Sequence, residues 1–107
     1  MAQELMIDRG KVVRAPVHPG VFFERNILPE LRKCRTVAEV ARLLDVSRTN
    51  LYRVMAGSSP VTPDMAVRLG KLCGNGPDLW LAMQARHDAF EASRRLASEI
   101  AAIPTLR

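Results

Sequence analysis

The sequence predicts an all-α fold of five helices over residues 18–107, preceded by an N-terminal arm or short strand over residues 1–17. Three observations predict it. Aromatic residues make up 5% of the chain and hydrophobic residues 48%, so Leu, Val, Ala, Met and Ile must build the core. That composition favours packed helices over a β-sandwich, whose strands draw on aromatic and β-branched residues. Apolar residues also recur with helical spacing, and hydroxyl, proline and glycine signals bracket those runs. A length of 107 residues fits one compact domain.

The first 17 residues show no helical period, and Pro16 and Pro19 bias the chain there toward extended structure. Pro19 suits the first position of a helix, where its missing N–H costs nothing. The first helix is therefore expected from Pro19 to Leu28, with Phe22, Phe23, Ile27 and Leu28 as its apolar contacts and His18 helping to cap it. Pro29 disturbs it, leaving ELRKCR as a basic connector or short extra turn.

The second helix is the best specified. Thr36 and Glu39 form a capping box, and Val37, Val40, Ala41 and Leu44 follow as an amphipathic stripe. Asp45-Val46 makes a tight turn, and Ser47 caps a short third helix with Leu51, Val54 and Met55 on one face. Gly57 ends that helix. Thr62-Pro63-Asp64 starts a fourth, buried through Met65, Leu69, Leu72 and Cys73 and stopped at Gly74. Pro77-Asp78 opens a fifth carrying Leu79, Trp80, Met83 and Phe90, expected to continue through Ile100 and Ile103 to Pro104.

Charge and composition narrow the function. The net charge is +5, and residues 24–61, with seven basic side chains against four acidic, hold +3 of it. A basic surface suits a polyanion such as nucleic acid. Cys34 and Cys73 are far apart with no metal-ligand spacing, so the expectation is free, buried thiols and neither a disulfide nor a metal site. No apolar run approaches the ~20 residues of a membrane helix, and the N-terminus lacks an apolar secretory core. A cytoplasmic location is expected. Phosphate loops, nucleophile elbows and paired carboxylates are missing, and His87 and Asp88 are adjacent residues that a helix points about 100° apart. Neither catalysis nor a cofactor is expected.

Two helices joined by a short turn can present the second to a DNA major groove. That geometry needs a small residue where the helices meet, which Ala41 supplies, and a turn residue that tolerates a left-handed backbone, here Asp45. It also needs an apolar plug at the corner (Val46) and anchors beneath the second helix (Leu51, Val54). With Leu51, Val54 and Met55 inward, Thr49 and Arg53 point outward, flanked by Arg48, Asn50 and Tyr52. Arg can pair bidentately with guanine and Asn with adenine, while Ser47 and the adjacent amides suit a backbone phosphate.

His18-Pro19-Gly20, Leu44-Asp45-Val46-Ser47-Arg48, Thr62-Pro63-Asp64-Met65-Ala66 and the block PDLWLAMQ (residues 77–84), in that order, closely resemble the HigA and VapI branch of the Xre-like, lambda-repressor-like helix-turn-helix proteins. The resemblance covers about residues 16–92, and PDLWLAMQ is its specific part. It implies a homodimer on a palindromic double-stranded operator, repression of the chain's own operon, and capture of a HigB-type mRNA-cleaving toxin. By position it implies base reading by Arg48, Thr49 and Arg53, support from Ser47, Asn50 and Tyr52, and a backbone contact at Thr36. On DNA such a protein sits at the nucleoid. The chain departs from the family at Val21, where an acid is common, at Asp45 in place of the turn glycine, and in the longer ELRKCR connector. Leu79, Trp80, Met83 and Phe90 are the expected dimer interface. Two other functions fit these residues: a stand-alone repressor without a toxin, and a protein-interaction module that keeps the helix pair as scaffold.

Overall fold

A computed structural model describes residues 5–8 and 11–106. Residues 1–4 and 9–10 of the predicted arm, and residue 107, lie outside the described residues. The rest of the arm contains an antiparallel pair, β1 (Leu5–Asp8) and β2 (Lys11–Arg14), with Leu5 opposite Arg14 and Asp8 opposite Lys11. Of the two structures open to the arm, the strand is realised.

All five predicted helices are present, and two short ones join them. The first, α1 (Pro19–Asn26), stops before Leu28, and α2 (Leu28–Leu31) starts there with Pro29 in its first turn. Proline at that place gives up only an N–H that has no intrahelical partner, so it restarts the helix in a new direction. The connector residues then close as a turn, with the Arg35 N–H on the Leu31 carbonyl at 2.9 Å. Next come α3 (Val37–Leu44), α4 (Arg48–Met55) and α5 (Pro63–Cys73), all as expected. The last predicted helix divides at Leu96 into α6 (Asp78–Arg95) and α7 (Ala97–Ala101). The local sequence has neither Gly nor Pro there, and nothing in it explains the break.

One core unites α1 to α6. Val40, Ala41 and Leu44 from α3, Leu51, Val54 and Met55 from α4, and Met65, Ala66 and Leu69 from α5 close on Phe23, Leu28, Val61 and Trp80. Trp80 is 0% exposed, with the rings of Phe22 and Phe23 edge-on at 6.2 Å and its indole N–H donating to Asn75 Oδ1 at 3.1 Å. This corrects the expectation that Trp80 belongs to a dimer interface. A side chain fully enclosed by its own monomer offers no surface to a second chain.

Leu79 is exposed on the same helix, and Met83 and Phe90 are half-buried. The expectation of two buried thiols is also corrected: Cys34 stands exposed in the connector, and Cys73 is half-buried. Burial pushes the Cys73 thiol up, which keeps it protonated. No helix among the described residues is long and apolar enough to cross a membrane.

Candidate nucleic-acid interface

The site begins at the N-terminus of α3. Thr36 Oγ1 accepts from the Glu39 N–H at 3.1 Å, and the Glu39 carboxylate accepts from the Thr36 N–H at 2.8 Å. This reciprocal pair is the predicted capping box. The Thr36 backbone N–H, and after it the Thr36 hydroxyl, hold the Glu39 carboxyl below its usual range, because hydrogen bonds donated to it favour the charged form. Thr36 itself is exposed, at the start of a helix whose N-terminal partial charge suits an anion.

The turn that ends α3 has the backbone the sequence called for. Asp45 has φ 58° and ψ 46°, and it is the one non-glycine residue with positive φ among the described residues. Its N–H and that of Val46 close back on the Ala41 carbonyl, which ends the helix abruptly. Aspartate tolerates this conformation better than most side chains. Ser47 is then extended (φ −71°, ψ 153°), and its hydroxyl accepts from the Asn50 N–H at 3.0 Å to start α4. The Ser47 oxygen is thus already engaged as a cap.

Every other side chain assigned to the outer face is where the spacing put it. Arg48, Thr49, Asn50, Tyr52 and Arg53 are all exposed, and Leu51, Val54 and Met55 are all buried. Tyr52 keeps 53% of its surface open, high for a large aromatic ring. The outer face of α4 carries two guanidinium groups, an amide and hydroxyls, with no carboxylate. A surface of that make-up can donate to base edges and phosphates at once.

Three supports of this face escaped the sequence reasoning wholly or in part. Gly20 meets the backbone of α4 so closely that an added β-carbon would overlap the Val54 carbonyl. A glycine is therefore required there, and it seats α1 directly beneath α4. The second is His18. Its Nδ1 accepts from the Gly20 N–H at 2.9 Å, as expected of a cap, but its ring also lies 5.1 Å from that of His87. Desolvation, with help from the nearby His87, holds His18 below its ordinary pKa of 6.5, against opposing contributions from the Ser59 backbone and Asp88. The third is Arg68 on α5. It donates to the carbonyls of Leu44 and Asp45 at 2.9 and 3.3 Å, across 24 and 23 residues of sequence. No local pattern reveals it, because an arginine on a mostly polar helix face looks like any solvated cation.

Gln84, from the block PDLWLAMQ, is a further buried tie. Its amide oxygen accepts from the Val61 N–H at 2.7 Å and its NH₂ donates to Asp88 at 2.9 Å. It fixes the segment between α4 and α5 onto α6.

Comparison with known proteins agrees with this geometry. The helix-turn-helix domain model matches residues 29–82. An uncharacterised HTH-type transcriptional regulator of Haemophilus influenzae is 30% identical over 75% of this chain and 73% of its own length. Among solved structures, the Pseudomonas aeruginosa antitoxin HigA with higBA promoter superposes with a TM-score of 0.78 at 26% identity, over 86% of this chain and 99% of the other. An addiction module antidote protein of the HigA family from Coxiella burnetii gives 0.76 at 27% identity, over 86% and 98%. The chain belongs to the helix-turn-helix domain family, in the branch whose fold is that of the HigA-type antitoxins.

Proposed function

We propose that this chain is a DNA-binding antitoxin that represses its own operon, binding a palindromic operator as a homodimer and neutralising a co-encoded HigB-like toxin. The observation that carries the DNA-binding part is the outer face of α4: five exposed polar or basic side chains, Arg48 to Asn50 with Tyr52 and Arg53, over three buried anchors. Support comes from the solved HigA of Pseudomonas aeruginosa, whose structure includes its promoter. Two-fold symmetry fits the task, because half-sites about one DNA turn (~34 Å) apart need two reading helices. Leu79, Met83 and Phe90 remain as the proposed dimer contacts. The role is one of binding, without a catalytic step.

The test is a titration of the purified protein against the DNA upstream of its own gene and against random duplex, over a range of salt. Affinity for the upstream DNA should exceed that for random DNA by at least ~10³-fold and fall steeply with salt as phosphates release counterions. A flat salt dependence would remove nucleic acid from consideration. The HTH-type regulator of Haemophilus influenzae favours a second reading, a repressor without a toxin. Co-expression with the adjacent gene decides between them: co-purification and rescue of growth support the antitoxin, and their absence leaves the repressor.

A further inference from the structure

We infer that Arg68 is a positioning residue for DNA recognition, setting the angle of α4 by holding the last carbonyls of α3. The inference rests on the proposed reading of α4 as the DNA-contacting helix. In an α-helix the final carbonyls lack intrahelical donors. In α3 the Ala41 and Arg42 carbonyls are taken by the turn's own N–H groups. The carbonyls of Leu44 and Asp45 are taken by the Arg68 guanidinium, at 2.9 and 3.3 Å. A cation at this end also complements the negative pole of α3.

Arg68 further lies 3.6 Å from Asp45 Oδ2, but that carboxylate is 92% exposed. An ion pair so open to water contributes little, whereas hydrogen bonds to charged donors are among the stronger ones. The carbonyl bonds therefore dominate. They tie α5 to the one left-handed residue between α3 and α4, where a small change in φ and ψ swings the whole of α4. Both bonds leave one nitrogen, Nη1, whose two N–H groups lie fixed in the guanidinium plane; a lysine ammonium, one bond nearer the backbone and freely rotating on a flexible stem, does not reproduce that geometry.

Arg68→Lys, Arg68→Met and Asp45→Asn test the assignment. Each is titrated against upstream and random duplex at several salt concentrations, at a temperature where thermal melts show the variant folded. Arg68→Lys keeps the charge and should lower the ratio of upstream to random affinity by about tenfold, with the salt slope unchanged. Arg68→Met should lower the ratio at least as much. Asp45→Asn keeps the carbonyls and a side chain at ease in the left-handed region, and should leave the ratio unaltered.

An unaltered ratio in both Arg68 variants overturns the inference. So does a salt slope that drops by about one in Arg68→Met alone with equal loss on both duplexes, which would make Arg68 a phosphate contact. A loss in Asp45→Asn equal to that in Arg68→Lys overturns it too, since the carboxylate would then be the operative partner. Failure of the wild-type protein to discriminate between the duplexes would instead remove the reading of α4 itself.

Discussion

Arg53 occupies the middle of the outer face of α4, one residue before the buried Val54. Its guanidinium is exposed and free to lie along a groove. If it meets guanine through O6 and N7, Arg53→Ala costs about 1–3 kcal/mol at that base pair and relaxes preference there. Binding to a set of single-base operator variants measures this. Equal losses on every variant and on random DNA would reduce Arg53 to a phosphate contact. The position of Arg53 could be read from the chain because three apolar residues on an eight-residue helix fix its rotation. Trp80 could not be placed so. Helical spacing shows which residues share a face, and a large, mostly apolar side chain serves equally well in a core or at an interface. The rings of Phe22 and Phe23, some 60 residues earlier, decide the matter, and no local pattern brings them to Trp80.

At the scale of elements, the seating of α1 under α4 is sensitive to acid. His18 caps α1 through an Nδ1 that must stay unprotonated to accept from the Gly20 N–H. Burial and the neighbouring His87 lower its pKa from the ordinary 6.5, so the unfolded chain takes up this proton first. Wherever the unfolded state binds more protons, stability rises with pH. The His18 contribution is therefore complete above about pH 6.5 and is lost as pH falls below that value toward the depressed folded one. Urea denaturation at intervals between pH 8 and pH 5 should show the loss. His18→Asn, which keeps a capping acceptor without a titrating ring, should flatten the curve in that window; an equally steep curve would place the titration elsewhere. The role of His18 as a cap was visible from the proline that follows it. Its pairing with His87 was not, because that contact joins the first helix to the sixth.

For the molecule as a whole, the helical body, the turn and the outward face were legible because each depends on spacing within about ten residues. The supports that hold α4 in place (Gly20, Arg68 and Gln84) were not, since each acts across the fold. The same division governs what Trp80→Ala should do. Enclosed by its own monomer, Trp80 stabilises the junction of α1 and α6, where its ring meets Phe22 and Phe23 and its N–H reaches Asn75. Removing a buried aromatic ring costs about 3–5 kcal/mol, a large share of the 5–15 kcal/mol that typically holds a small domain together. The variant should thus melt at a much lower temperature. Where it is still folded, it should sediment with the same mass as the wild type, because the ring is enclosed by its own chain. Leu79→Asp is the complementary change: its side chain is 47% exposed, so it should melt close to the wild type and shift the sedimenting species toward monomer. If Trp80→Ala dissociated the protein without lowering its melting temperature, the enclosure of Trp80 would have to be completed by a second copy of the chain.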